Sequence, residues 1–305
     1  MMAYFDDAYS VEDEDSDEGA KIKPDAIIAS AAISDVLLSS NLKSLAVDLA
    51  APGNTPIAAN FTESSYYDDS IVVKMEQKRM YDSDVFITYV KIATPSQIRT
   101  AVAGGAIKST RSNSTSKIAQ NYNAIVAING DAYVKAKTGY AVRQGEALRE
   151  TTSNSIDLLF IDELGDFHIF LSGRESQEEQ ISAFKEEHEI INAFVFGPAL
   201  VVDGKTCEIS DDYQYNPTGL EPRAGIAQID TLTYMMVVVN GRADNTEGVT
   251  SSQFADLMLE LGAQQAYNLD GGNSATMVFN GEVYNIKKQA ERSIYDIVYF
   301  ASATE

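Results

Sequence analysis

The stretch Tyr267-Asn-Leu-Asp-Gly-Gly-Asn-Ser-Ala-Thr-Met-Val-Phe-Asn-Gly281 gathers the residue types that do chemistry on a polar substrate. Apolar residues lead into Asn268 and Asp270. Gly271 and Gly272 follow, then Asn273, Ser274 and Thr276, then Met277-Val278-Phe279. This is a strand ending in a sharp turn that carries polar groups, followed by a second strand. Glycine lets a backbone take positive φ and approach a ligand closely. A carboxylate beside such glycines, with a hydroxyl and amides near it, forms a candidate reaction site. The plainer alternative is a hairpin closed by an Asp-Gly turn.

Other polar turns end apolar strands along the chain. They are Asn129-Gly-Asp-Ala-Tyr133, Tyr140-Ala-Val-Arg-Gln-Gly145, Phe196-Gly-Pro-Ala-Leu200, Pro222-Arg-Ala-Gly-Ile226 and Asn240-Gly-Arg242. Asn-Gly at 129, 240 and 280 is also ordinary hairpin chemistry. The elements that must position these turns read as follows. Strands are expected at 71–78, 85–93, 124–128, 158–162, 166–171, 193–196, 200–203, 224–229, 234–240, 267–269, 276–279, 282–285 and 294–301. Helices are expected from Thr94-Pro95-Ser96 to about Ala103, over 114–121 and over 250–261, with a charged helix or loop at 175–189. Strands dominate and helices intervene irregularly. The fold class is therefore α+β, a mixed, mostly antiparallel sheet core with a few helices.

Composition narrows the function classes. The 305 residues carry a formal charge of −22, which argues against nucleic acid or an anionic membrane as partner. The acids are concentrated at the start: Asp6, Asp7, Glu12, Asp13, Glu14, Asp15, Asp17 and Glu18 stand in a stretch without Lys or Arg. Residues 1–24 read as an acidic disordered tail, 25–65 as a helical segment and connector, and 66–305 as the main folded domain, the span that the resemblance given below implies is catalytic. One cysteine, Cys207, permits no intrachain disulfide. With His168 and His188 as the only histidines, a His/Cys zinc site is not expected, and both are read as structural or surface residues. Clustered acids such as Asp211-Asp212 match no metal loop, and no cofactor is called for. No apolar run of about 18 residues is present to span a membrane. The start lacks the basic and apolar regions of a signal peptide, so the chain is either cytoplasmic or given without its export segment.

Taken in order, these turns resemble the phosphodiester glycosidase family, relatives of the lysosomal enzyme that removes N-acetylglucosamine from mannose phosphate. The resemblance covers roughly residues 70–301. It rests on Asn-Gly-Asp-x-Tyr at 129–133, Phe-Gly-Pro-Ala-Leu at 196–200, Pro222-Arg223, Gly241-Arg242, Gly248-Val-Thr250, Leu261-Gly-Ala263, the Asp270-Gly-Gly signature and Glu291-Arg292. Asn273 stands where the family usually has a third glycine, and Ala227 where it has another.

The resemblance implies a hydrolase that cleaves the bond between a sugar anomeric carbon and phosphate. The expected substrate is an N-acetylglucosamine-type sugar-1-phosphodiester of a cell-wall or capsular polymer, and the expected location is extracellular or cell-envelope. An oxocarbenium-like transition state calls for a carboxylate near the anomeric carbon and a second carboxyl group to manage a proton. Asp270 is the first candidate, Asp131 the second and Glu291 a third. Arg223 is the leading phosphate clamp, because guanidinium bonds phosphate oxygens bidentately. Arg143, Arg242 and Arg292 are further cations. Asn129, Asn268 and Asn273 are candidates for sugar hydroxyls. Ser274 and the amides of Gly271, Gly272 and Asn273 are candidates for phosphate oxygens. The chain has no Trp, so stacking on a sugar falls to Tyr133, Tyr140 or another tyrosine. The rival reading is a non-catalytic glycan- or wall-binding module on the same fold.

Overall fold

A computed structural model of the chain describes residues 46–153, 155–173, 176–285 and 290–304. The expected acidic tail and most of the expected helical segment lie outside the described residues. The connector after them runs along the sheets. Asn54 forms a bridge with Ser302, and Gly53 N–H donates to the Tyr122 carbonyl.

Three antiparallel sheets share one core. The eight-stranded sheet runs, edge to edge, through Ser65–Tyr67, Ile71–Met80, Ser83–Ile92, Thr233–Val239, Arg223–Asp230, Gln265–Leu269, Ala199–Val202 and Lys205–Thr206. A five-stranded sheet holds Glu146–Glu150, Tyr140–Arg143, Ile190–Phe194, Leu158–Asp162 and Phe167–Phe170. A second five-stranded sheet holds Glu282–Val283, Met277–Phe279, Val126–Asn129, Asp296–Phe300 and Ile98–Val102. Val73, Phe86, Met236 and Tyr267 of the first sheet meet Leu159 and Phe194 of the second and Ile128, Met277 and Val298 of the third. Central strands are therefore apolar on both faces. Thr233–Val239 is buried at every position, which explains why Tyr-Met-Met-Val-Val-Val shows no alternation.

Each sheet carries one helix on its outer face. Helix α1 (Thr115–Asn121) packs Ile118 and Ala119 against Ala127, Ile297 and Tyr299. Helix α2 (Gln177–Glu187) packs Ile181 and Phe184 against Phe160 and Phe170. Helix α3 (Ser251–Glu260) packs Phe254, Leu257 and Met258 against Val85, Val237 and Ala266. Thr250 caps α3, accepting from Gln253 N–H at 3.1 Å, while Gln253 Oε1 accepts from Thr250 N–H at 3.0 Å. Each apolar side chain that α3 buries stabilises the fold by about 1.5–3 kcal/mol.

The helix expected from Pro95 to Ala103 is not formed. Pro95–Gln97 makes a single 3₁₀ turn, and Ile98–Val102 continues as a strand paired with Asp296–Phe300. Gln97 stops the turn: its Oε1 accepts from Ala93 and Thr94 N–H, and its Nε2 donates to the Ala301 carbonyl. Beyond it, the β-branched Ile98, Thr100 and Val102 favour the strand.

Candidate active site

The signature does not close a hairpin. Gln265–Leu269 belongs to the eight-stranded sheet, whereas Met277–Phe279 pairs with Val126–Asn129 in another sheet. The Asp270 turn is thus a crossing point between two sheets. Packing there is close enough to demand glycine. A Cβ on Gly271 would stand 2.6 Å from the Pro222 carbonyl oxygen, and Gly272 has φ +59°. Asn280 and Gly281, by contrast, both have positive φ and close an ordinary hairpin between Met277–Phe279 and Glu282–Val283.

Asp270 lies in a cleft of about 380 Å³ lined by Phe196, Tyr215, Asn216, Glu221, Pro222, Arg223, Arg242, Gly271, Gly272, Asn273 and Arg292. Its carboxyl is pushed above the usual Asp range, first by burial. A hydrogen bond with Ser274 and the charges of Arg292 and Lys135 pull it down, and Asp131 pushes it up. Arg292 Nη1 stands 3.9 Å from Asp270 Oδ2 and donates to Ser274 Oγ at 3.3 Å. Besides Glu221, which is paired with Arg242, the cleft therefore holds Asp270 as a largely shielded carboxylate with the exposed Arg292 beside it.

Several candidate residues support this turn from below instead of lining the cleft. Asn129 is buried; its Nδ2 donates to the Asp270 carbonyl at 2.7 Å and its Oδ1 accepts from Thr276 N–H at 3.0 Å. Both ends of the crossing turn are tied to that one amide. Asn268 donates from Nδ2 to the Gly197 carbonyl at 2.7 Å, so it orients the 196–198 loop and not a sugar. Asp131 is buried, accepting on Oδ1 from Arg143 Nη2 at 2.5 Å and on Oδ2 from Val195 N–H at 2.7 Å.

Arg143 is fully buried and ion-paired to both Asp131 and Asp296, with Nε 2.7 Å from Asp296 Oδ2. It is not available as a phosphate clamp. Asp296 is raised to about 7, chiefly by burial, against the pull of Arg143. Tyr133 is buried with its hydroxyl on the Ile107 carbonyl, and Tyr140 is buried too, so neither offers a stacking face. Glu291 accepts from Ser116 N–H at 3.0 Å at the start of α1, which is where a carboxylate stabilises a helix N-terminus.

Arg223 lines the cleft, but its guanidinium is spent on backbone carbonyls. Nε donates to Val249, and Nη2 to Asn216 at 2.8 Å and Gly219 at 3.1 Å. Burial pushes it down to about 10. It clamps the 215–219 loop. The exposed cations of the cleft are Arg242 and Arg292. Arg242 is held by Glu221 through Nε at 2.6 Å. The Gly272 amide is likewise engaged, donating to the Pro222 carbonyl at 2.8 Å, and the Ser274 amide donates to Gly271.

Glu221 and Tyr215 are cleft residues that the sequence did not single out. Tyr215 stacks on Phe196 with centroids 4.2 Å apart and an interplanar angle of 11°, and it is 47% exposed. Asp270 is among the charges that raise the Tyr215 hydroxyl, after burial. Tyr215 and Asn216 sit at φ 68° and 57° in a turn-rich loop with no periodic signal, so only the Phe196 end of the pair was flagged.

A family model described as phosphodiester glycosidase matches residues 122–301. The catalytic domain of zebrafish N-acetylglucosamine-1-phosphodiester alpha-N-acetylglucosaminidase, auto-inhibited by its pro-peptide, has a similar fold. Its TM-score is 0.59 at 16% identity, over 85% of this chain and 99% of that one. A Burkholderia pseudomallei protein described as exported matches with TM-score 0.52 at 13% identity, over 72% of this chain and 74% of that one. The SPβ prophage-derived protein YomE of Bacillus subtilis is 32% identical over 108 residues, 34% of this chain but only 16% of YomE. The chain belongs to the phosphodiester glycosidase family.

Proposed function

We propose that this protein hydrolyses the bond between a sugar anomeric carbon and phosphate in a sugar-1-phosphodiester, with Asp270 as the carboxylate that meets the anomeric carbon. The observation that carries the reading is the largely shielded Asp270 at the crossing of two sheets, facing a cleft that also holds Arg242, Arg292 and the Tyr215–Phe196 stack. A carboxylate there stabilises or attacks an oxocarbenium-like centre. Arg242 and Arg292 neutralise the departing phosphate, with Glu221 orienting Arg242. Tyr215 offers the sugar a flat apolar face. A departing phosphate is weakly basic, so its exit needs no strong general acid, which suits a cleft in which Asp131 is buried beneath the surface.

The substrate proposed is of N-acetylglucosamine type, drawn from a cell-wall or capsular polymer, and the proposed location is extracellular or cell-envelope. The zebrafish relative's name supports the sugar. The Burkholderia protein supports export. Among the described residues no helix is long and apolar enough to cross a membrane.

The test is hydrolysis of synthetic N-acetylglucosamine-1-phospho-alkyl diesters in ¹⁸O-labelled water. Label recovered in the sugar supports cleavage at the anomeric carbon. Label in the phosphate product overturns the reading in favour of attack at phosphorus. Saturable binding without turnover favours the glycan-binding module.

A further inference from the structure

The chain's two histidines converge on one carboxylate, at a place the cleft does not use. Asp162 ends its strand, His168 lies on the next strand of the same hairpin, and His188 caps the C-terminus of α2. His168 Nε2 stands 2.8 Å and His188 Nδ1 3.3 Å from Asp162 Oδ2, and Glu163 Oε1 lies 3.6 Å from His188 Nδ1. The three donor atoms of Asp162, His168 and His188 all lie within 4.8 Å of one another. We infer that Asp162, His168 and His188, with Glu163 beside His188, form a binding site for a divalent transition-metal ion of the zinc type.

Spacing supports the assignment. Zinc bonds of about 2.0–2.1 Å put tetrahedral donors roughly 3.3 Å apart. The distances of 2.8 and 3.3 Å from Asp162 to the two imidazoles and of 3.6 Å from Glu163 to His188 straddle that value, and the donor atoms of Asp162, His168 and His188 lie within 4.8 Å of one another, so an ion draws these side chains together by about an ångström. Orientation supports it as well. Asp162 Oδ1 accepts from Leu164 N–H at 2.9 Å and Asp166 N–H at 2.8 Å, which leaves Oδ2 facing the imidazoles. Glu163 Oε2 accepts from Glu189 N–H at 2.8 Å, which leaves Oε1 toward His188. Backbone amides thus hold the far oxygen of each carboxylate, as outer partners orient metal ligands.

His188 Nδ1 is buried and makes no hydrogen bond, so an imidazole nitrogen is aimed at the two carboxylates at ion-pair distance only. Phe184 packs against both rings, at 4.8 Å from His168 and 5.0 Å from His188, and fixes their planes. The carbonyl end of α2 adds negative partial charge. An open groove of about 430 Å³ lined by His168, Phe184, Glu187, His188 and Asp203 provides the way in. Two imidazoles select zinc, cobalt or nickel over calcium and magnesium, which take oxygen donors. Such an ion would pin α2 to the Leu158–Phe170 hairpin.

The test uses the full chain, stripped with chelator and titrated with CoCl₂ and ZnCl₂. The expected result is one cobalt per chain, with visible absorption bands of four-coordinate cobalt that zinc abolishes. Millimolar calcium and magnesium should leave those bands intact. His168→Gln and His188→Gln should each weaken binding by at least roughly 10- to 100-fold, the range that even loss of an outer partner produces. Circular dichroism and the denaturation midpoint of the chelated variants establish that they fold. No saturable binding, equal affinity in folded variants, or displacement by calcium overturns the assignment. Phosphodiester hydrolysis is not a readout here, so the result stands apart from the proposed activity.

Discussion

Arg143 to Met is the substitution whose consequence the structure fixes most closely. The guanidinium is fully buried, ion-paired to Asp131 and Asp296, donates to the Ala193 and Val142 carbonyls, and packs 4.3 Å over the Phe194 ring. Methionine keeps much of the volume and the contact with Phe194 but leaves two buried carboxyl groups without a cation. Removing one partner of a buried pair costs about 3–5 kcal/mol. For a domain of this size that corresponds to a melting point lower by roughly 10 °C.

The cost should depend on pH in a definite direction. Asp296 is already raised to about 7 in the folded protein, against about 3.9 in an unfolded chain. Between those values the folded state holds a proton that the unfolded state has released. Stability from this group is therefore complete below the unfolded value and is lost as pH rises through the folded one. Without Arg143 the folded value moves higher still, so the difference between variant and wild type grows with pH. Urea unfolding of both proteins at about pH 5 and about pH 8 measures it, with the larger deficit expected at the higher pH. Adding Asp131→Asn and Asp296→Asn to Arg143→Met should recover much of the loss. A deficit under about 1 kcal/mol at the higher pH, or one that grows on acidification, would refute the reasoning.

Arg292 lowers Asp270, so Arg292→Gln should shift the acidic limb of the kcat/KM profile to higher pH, measured on a soluble phosphodiester; a downward shift contradicts the assigned geometry. Gly271→Ala forces a Cβ to 2.6 Å from the Pro222 carbonyl and should cost about 1–3 kcal/mol in urea unfolding, with activity falling alongside. Tyr215→Ala removes the exposed stacking face and should raise KM several-fold with little change in kcat; a drop confined to kcat would remove Tyr215 from ground-state binding.

Much of the sheet framework was legible because strand residues announce themselves. Val126–Asn129 and Thr233–Val239 are apolar, β-branched-rich runs ending in polar turns, and Arg223–Asp230 is an apolar run carrying Ile226 and Ile229. The Ile98–Val102 strand was hidden by Thr-Pro-Ser, a good helix start that Gln97 truncates with its side chain. At the site, sequence could single out polar residues at strand ends but not say which face they take. Asn129, Asp131 and Arg143 stand in turns as suggestive as that of Asp270, yet they point beneath the cleft, because two sheets meet there and someone's polar groups must satisfy the buried backbone. Arg223 read as a ligand for phosphate and turned out to hold four backbone carbonyls of a loop and its neighbour. The convergence of His168 and His188 on Asp162 depends on α2 packing over a hairpin, and no local spacing announces that contact.

The most direct test is release of free N-acetylglucosamine from an N-acetylglucosamine-1-phospho-alkyl diester by wild type beside Asp270→Asn, with matched unfolding curves for the two proteins. The account predicts turnover by wild type and a loss of at least about 100-fold in kcat for the variant. Full turnover by a folded Asp270→Asn protein would contradict it.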